Sequence, residues 1–168
     1  MTSPDWTKVS EKVARQIFEQ AEKYLAGQLT VGLAADQRAL TVASIGVGFS
    51  SAMFAATIGY WSSKGGEAIL VSGLVAGSVM LLGAVMCAWA ARPVEFFSSG
   101  NRPDQWWPVA NQPLATLLGG ESENYQEMIL DNAKTMDKNA TWLERGVVLS
   151  SLSPVAGVAC WAAIVLFS

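Results

Sequence analysis

Arg92, Arg102, Trp106 and Trp107 are the residues of this chain best suited to hold a ligand. Guanidinium groups pair with phosphates, and an indole ring can stack on a nucleobase or a cation. All four lie in residues 92–120, an aperiodic stretch with four prolines and several aromatic rings. The sequence allows a ligand site here, but it favours the alternative that the aromatic rings lie in a lipid headgroup layer.

Most catalytic chemistry is disfavoured by composition. The chain has no histidine, so an imidazole can serve neither as a metal or haem ligand nor as a catalytic base. Its two cysteines, Cys87 and Cys160, have no metal-ligand spacing and are expected to be packing residues. No phosphate loop, nucleophile elbow or carboxylate pair is visible. We therefore predict no catalytic residues, no metal site, no cofactor and no enzymatic activity.

The elements that position these residues follow from the distribution of charge. Only 15% of the residues are charged, and residues 39–61, 68–91 and 146–167 contain no Asp, Glu, Lys or Arg. Each run exceeds the roughly 20 residues that a helix needs to cross about 30 Å of hydrocarbon. The sequence predicts an all-α integral membrane protein with three transmembrane helices.

Basic residues indicate the orientation of these helices. Ten of the eleven Lys and Arg residues precede the first span or lie between the second and third, and Lys64 alone lies in the short first loop. Basic segments stay on the cytoplasmic side. We therefore expect a multi-pass protein of the bacterial inner (cytoplasmic) membrane, with its N-terminus in the cytoplasm and its C-terminus outside.

Two further helices are predicted outside the membrane. Residues 1–38 show one apolar stripe at helical spacing, and the start signal Ser3-Pro4-Asp5 predicts a helix that begins at Pro4 and runs on to Trp61. Residues 121–168 are predicted to form a cytoplasmic helix that continues into the third span. We expect the two stripes to pack together, with a membrane-surface position of residues 4–36 as the alternative.

Small and hydroxylated residues mark the predicted spans. Gly48 and Ala52 in the first span, and Gly73 and Gly77 in the second, are expected to pack helices closely, within one chain or between copies. Three serines of the third span could line a polar path if copies form a ring, although satisfying backbone carbonyls near Pro154 is the favoured interpretation. These serines are Ser150, Ser151 and Ser153.

This layout resembles small bacterial membrane effectors of Pycsar-type and SLATT-type anti-phage systems. The resemblance rests on the N-terminal helix, the Asp36-Gln37-Arg38-Ala39 step into the first span, the hairpin, and a helix with Lys134 and Lys138 before a final span. It implies an oligomer that disrupts the membrane when a nucleotide signal or an associated protein triggers it. The chain departs from this pattern because it has no recognisable nucleotide-sensing domain.

Three functions follow as hypotheses. The first is a non-enzymatic oligomeric inner-membrane protein that perturbs the membrane or forms a pore in bacterial defence. The second is an accessory or structural subunit of a larger membrane complex, and the third is a phage holin-like protein. The expected partners are the lipid bilayer, copies of the chain or subunits of a complex, and a nucleotide signal; nucleic acid is not expected.

Overall fold

The computed structural model describes residues 3–101 and 103–167, apart from the side chain of Pro103, and every regular element in these ranges is helical. The three α-helices are α1 (Glu11–Lys64), α2 (Glu67–Ala90) and α3 (Leu114–Phe167). Each is long and apolar enough to cross a membrane. The prediction of an all-α chain with three helices of this kind is confirmed.

The first helix begins later than predicted. Asp5 caps a separate 3-10 turn, Trp6–Lys8, by accepting hydrogen bonds from the Thr7 N–H (3.2 Å) and the Thr7 hydroxyl (2.6 Å). These bonds from Thr7, followed by the contact with Lys8, lower the pKa of Asp5 below its ordinary value. Because the backbone is extended after this turn, α1 starts at Glu11 instead of Pro4, and it ends at Lys64.

The third helix begins earlier than predicted. The irregular segment was expected to end with Gly119-Gly120, but α3 starts at Leu114, directly after Pro113, and includes both glycines. Pro154 also lies inside α3 without ending it. Tertiary contacts explain the earlier start, since Leu118 and Gly119 are both buried.

The chain divides into two compact units. Unit 1 comprises Met1–Leu33 and Val94–Asp137, and unit 2 comprises Ala34–Pro93 and Lys138–Ser168. The core of unit 1 contains large side chains, including Leu25 and Tyr125. Tyr125 of the second predicted stripe meets the first helix at Phe18, with ring centroids 5.5 Å apart, whereas Ile17 of the predicted N-terminal stripe is 39% exposed, so that stripe is wrong by one position here.

Unit 2 has the opposite distribution of side-chain size. Its buried positions are occupied by small residues, with Ala43, Ser50 and Ala84 as examples. Large apolar side chains lie on the outside instead: Phe49 is 63% exposed and Leu82 is 59% exposed. Small residues allow helix backbones to approach closely, and an apolar exterior suits contact with lipid.

Candidate functional site

Residues 94–101 are held against the helices of unit 1 by two buried side chains. Asn132 accepts a hydrogen bond from the Phe97 N–H and donates one to the Phe97 carbonyl, both at 2.9 Å. The Tyr125 hydroxyl accepts a bond from the Gly100 N–H at 3.0 Å. Backbone groups away from water need hydrogen-bond partners. These side-chain bonds take the place of the backbone hydrogen bonds that a strand or helix would provide. The segment that follows α2 therefore has a fixed path.

Tyr125 stays neutral in this position. Burial is the main cause that raises the pKa of its phenol above the ordinary value, with nearby acids adding to the effect, while the Gly100 N–H acts in the opposite direction. A buried phenol that accepts from a backbone amide and stacks on Phe18 has the features of a structural anchor. Sequence reasoning placed Tyr125 on the apolar stripe but missed its role in holding residue 100.

The four predicted ligand residues are not assembled into one site by any contact of the described residues. Arg92 lies in unit 2, where its guanidinium is 5.3 Å from the Trp89 ring centroid and its Nη1 donates to the Trp89 carbonyl at 2.8 Å. Trp106 is half-buried in unit 1, and Trp107 is 73% exposed. Arg102 lies outside the described residues. Arg92 thus already has a local role as a cation on an aromatic ring.

The three serines of the predicted polar face do not share a face. Ser153 is fully buried, and its hydroxyl has no hydrogen-bond partner within residues 3–101 and 103–167. Ser150 lies directly against Gly83, whereas Ser151 is exposed and donates to the Val147 carbonyl at 2.9 Å. Consecutive helical positions differ by about 100°, so Ser151 points away from the other two.

The predicted small-residue contacts divide into two groups. Gly73 lies against Thr57 and Gly77 lies against Phe54, so both glycines carry the contact of α2 with α1. Gly48 and Ala52 face outwards instead; both are exposed, and a Cβ at Gly48 would meet nothing within 4 Å. Packing within the chain is therefore not their role.

The apolar part of α1 uses other residues for its contact with α2. A Cβ at Gly46 would lie 2.9 Å from the Ala84 Cβ, and the Ser50 hydroxyl donates to the Gly77 carbonyl at 2.8 Å. The signal that could have identified this face is the seven-residue recurrence of small residues at Ala39, Gly46 and Ala43, Ser50, Thr57.

The sequence does not predict the contact between α2 and α3. A Cβ at Gly83 would lie 2.6 Å from the Gly146 carbonyl oxygen, and one at Gly146 would lie 2.7 Å from the Gly83 carbonyl oxygen. At this point the two helices meet backbone to backbone. Gly157 makes a second contact, with Ala76. The sequence places Gly146 at the start of the third predicted span and gives no indication of this contact.

Trp6 docks on α3 at Gly119, and the adjacent Gly120 takes no part in this contact. Its indole N–H donates to Glu123 at 2.6 Å, and its ring lies directly against Gly119, whereas a Cβ at Gly120 would meet nothing within 4 Å. Alanine favours a helix over glycine by roughly 1 kcal/mol. Gly120→Ala should therefore stabilise unit 1 by about that amount.

Gly119→Ala should have the opposite effect, because its methyl group displaces the Trp6 ring. We expect a net loss of about 1 kcal/mol and faster amide hydrogen exchange over residues 3–10. Hydrogen exchange on the full chain in detergent compares the two variants directly. Equal behaviour of Gly119→Ala and Gly120→Ala would show that the Trp6 contact does not hold the N-terminal turn.

No group of three or more metal-ligating side chains occurs in the described part of the chain. Both cysteines there are free thiols. No protein-family model, curated protein or solved structure matches this chain.

Proposed function

We propose that this chain is a non-enzymatic, oligomeric protein of the bacterial inner membrane that perturbs or opens the bilayer, as an effector of a defence system. The three long apolar helices support insertion into a membrane. The absence of Asp, Glu, Lys and Arg from their central segments disfavours a proton relay or a coupled pump. The resemblance to anti-phage effectors supplies the defence role and a nucleotide signal as the trigger.

The observation that carries this proposal is an unpartnered face of α1, here called the outer face (Gly48, Ala52, Ala55 and Gly59). All four residues are exposed, and a Cβ at either glycine would meet nothing within 4 Å. A surface of glycine and alanine offers lipid tails little to pack against. A second helix can approach such a surface closely, and the close contact gains dispersion energy. The outer face is therefore suited to contact between copies.

The charge distribution supports one orientation. Ten of the eleven basic residues flank the apolar helices on the side of the N-terminus and of the segment between α2 and α3. We place that side in the cytoplasm, and the α1–α2 turn and the C-terminus outside.

A second candidate function is an accessory subunit of a membrane complex. Unit 1 exposes large apolar side chains, with Tyr24 at 61%, Leu33 at 62% and Trp107 at 73% exposure. Exposed apolar groups of this size on a polar unit are typical of a surface that meets another protein.

Overexpression separates these two functions. At high expression the wild-type chain should depolarise bacterial cells, and candidate nucleotides should increase the effect, as measured with a potential-sensitive dye. Ala52→Leu should lower the depolarised fraction about tenfold, because a leucine on the outer face keeps the copies apart. Val47→Leu, at an exposed position on another side of α1, should behave like wild type.

Normal membrane potential at high expression would contradict the effector proposal. Co-purification of the chain with a larger complex at fixed stoichiometry would then assign the accessory role. Equal depolarisation by wild type and Ala52→Leu would show that the outer face is not needed for the effect on the membrane.

A further inference from the structure

Unit 2 contains a groove to which all three helices contribute. It has a volume of about 300 Å³ and is shallow and largely open. Its lining includes Thr57 from α1, Ser72 and Gly73 from α2, and Val158 and Trp161 from α3. A volume of this size lies at the lower end of the range for small-molecule sites.

One hydroxyl in this groove lacks the bond that a helix can supply. Ser72 and Thr41 donate to the carbonyl four residues earlier, Ser72 to Ala68 at 2.5 Å and Thr41 to Gln37 at 2.8 Å. Thr57 lines the groove and is only 7% exposed, yet its hydroxyl has no hydrogen-bond partner among the described residues. The groove thus holds an unused donor in an apolar setting, where a missing bond is costly because water is absent.

Gly73 explains why the hydroxyl is placed there. The Thr57 side chain lies directly against the backbone of Gly73, and a Cβ at that glycine would be 2.9 Å from the Thr57 Cβ. A larger residue at position 73 would occupy the base of the groove. The helix contact and the groove therefore depend on the same missing side chain.

The depth of Thr57 in the membrane indicates which acceptor it meets. It lies seven residues before Lys64, the last residue of α1, so it is about 10 Å below the turn to α2. Tyr60 and Trp61, whose rings suit the membrane interface, lie one turn nearer that end. Thr57 therefore lies about 5 Å inside the interface, within reach of the ester groups at the ends of the acyl chains, whose carbonyl oxygens are hydrogen-bond acceptors.

We infer that the groove binds a phospholipid from the leaflet beside the α1–α2 turn, with an acyl chain along Val158 and Trp161 and an ester carbonyl accepting a hydrogen bond from the Thr57 hydroxyl. This inference goes beyond the proposed function, since it requires insertion in a membrane but no assembly of copies. It assigns the site to an ester-linked lipid because the other lining groups are mainly apolar or already bonded.

Native mass spectrometry of the full chain in mild detergent tests this site. A diacyl phosphatidylglycerol and its dialkyl ether analogue, matched in chains and headgroup, are added in equal amounts. Wild type should retain about five times more of the ester lipid, the ratio expected for one hydrogen bond to a carbonyl that the ether lacks. Thr57→Val keeps the shape and should abolish this preference, whereas Thr41→Val, which alters a hydroxyl already bonded within the helix, should keep it.

The comparison of the two lipids uses the wild-type chain, so it is decisive even if a variant fails to fold. Equal retention of both lipids by wild type, or an ester preference that survives in Thr57→Val, would overturn the inference. Lipid-free dimers that persist in Ala52→Leu, whose outer face is blocked, would also overturn it and would assign the groove to a second copy. None of these outcomes bears on depolarisation, which tests the proposed function separately.

Discussion

Gly83→Leu is expected to separate α2 from α3 and to lower the free energy of unfolding by about 3 kcal/mol. A side chain at this position meets the Ser150 side chain and the Gly146 carbonyl oxygen, and the carbonyl cannot move aside by a change of rotamer. The leucine can therefore be accommodated only if the helices move apart, which also opens the Cys87–Gly146 contact one turn away. Unfolding by SDS in mixed micelles, followed by circular dichroism, measures the loss.

Gly48→Leu is the matched control for this substitution. It adds the same side chain to an apolar helix at a position with nothing within 4 Å. At protein concentrations where the chain is monomeric, its unfolding midpoint should equal that of wild type or exceed it slightly, since leucine favours a helix more than glycine does. A Gly83→Leu chain as stable as Gly48→Leu would show that α2 and α3 do not meet through their backbones.

Asn132→Leu is expected to release residues 94–101 from unit 1 and to cost roughly 2–4 kcal/mol. The substitution keeps a side chain of similar size but leaves both the N–H and the carbonyl of Phe97 without their partner. Unpaired backbone groups away from water are costly, and detachment of the segment is the way to hydrate them. Hydrogen exchange at residues 96–100 should accelerate by roughly 30-fold to 900-fold, in line with that loss of free energy.

Asn124→Leu makes the same chemical change at an exposed position of the same helix. It should leave exchange at residues 96–100 unchanged. Slow exchange of these amides in Asn132→Leu would mean that Phe96, which packs against Gly32, holds the segment without help from Asn132.

The helices that could cross a membrane were predictable because their signal is local. Charge-free runs of more than twenty residues allow few other structures, and they identified α2 and the apolar parts of α1 and α3. The stripes of unit 1 were predictable only in part: helical spacing places Tyr125 on an apolar face, but its partner is Phe18 and not the neighbouring Ile17, which is exposed.

Pairwise contacts were not predictable in the same way. Gly48 and Gly46 have the same residue type and lie two positions apart, yet only Gly46 meets α2. Gly119 and Gly120 differ only through Trp6, more than a hundred residues earlier in the chain. A glycine shows that close approach is permitted, but the partner depends on the register of another helix. For the same reason, the spacing of Arg92 and Trp106 did not establish a shared site.

Cysteine accessibility in intact bacteria tests the central claim, a chain that crosses the membrane three times with its N-terminus in the cytoplasm. Ser63 and Ser98 are both exposed and lie on opposite sides of α2 in the proposed orientation. A membrane-impermeant maleimide should label Ser63→Cys in intact cells and should label Ser98→Cys only after lysis. The wild-type chain, whose cysteines lie within α2 and α3, provides the background. Labelling of Ser98→Cys before lysis with protection of Ser63→Cys would reverse the orientation, and equal labelling of both before lysis would contradict the membrane crossing by α2.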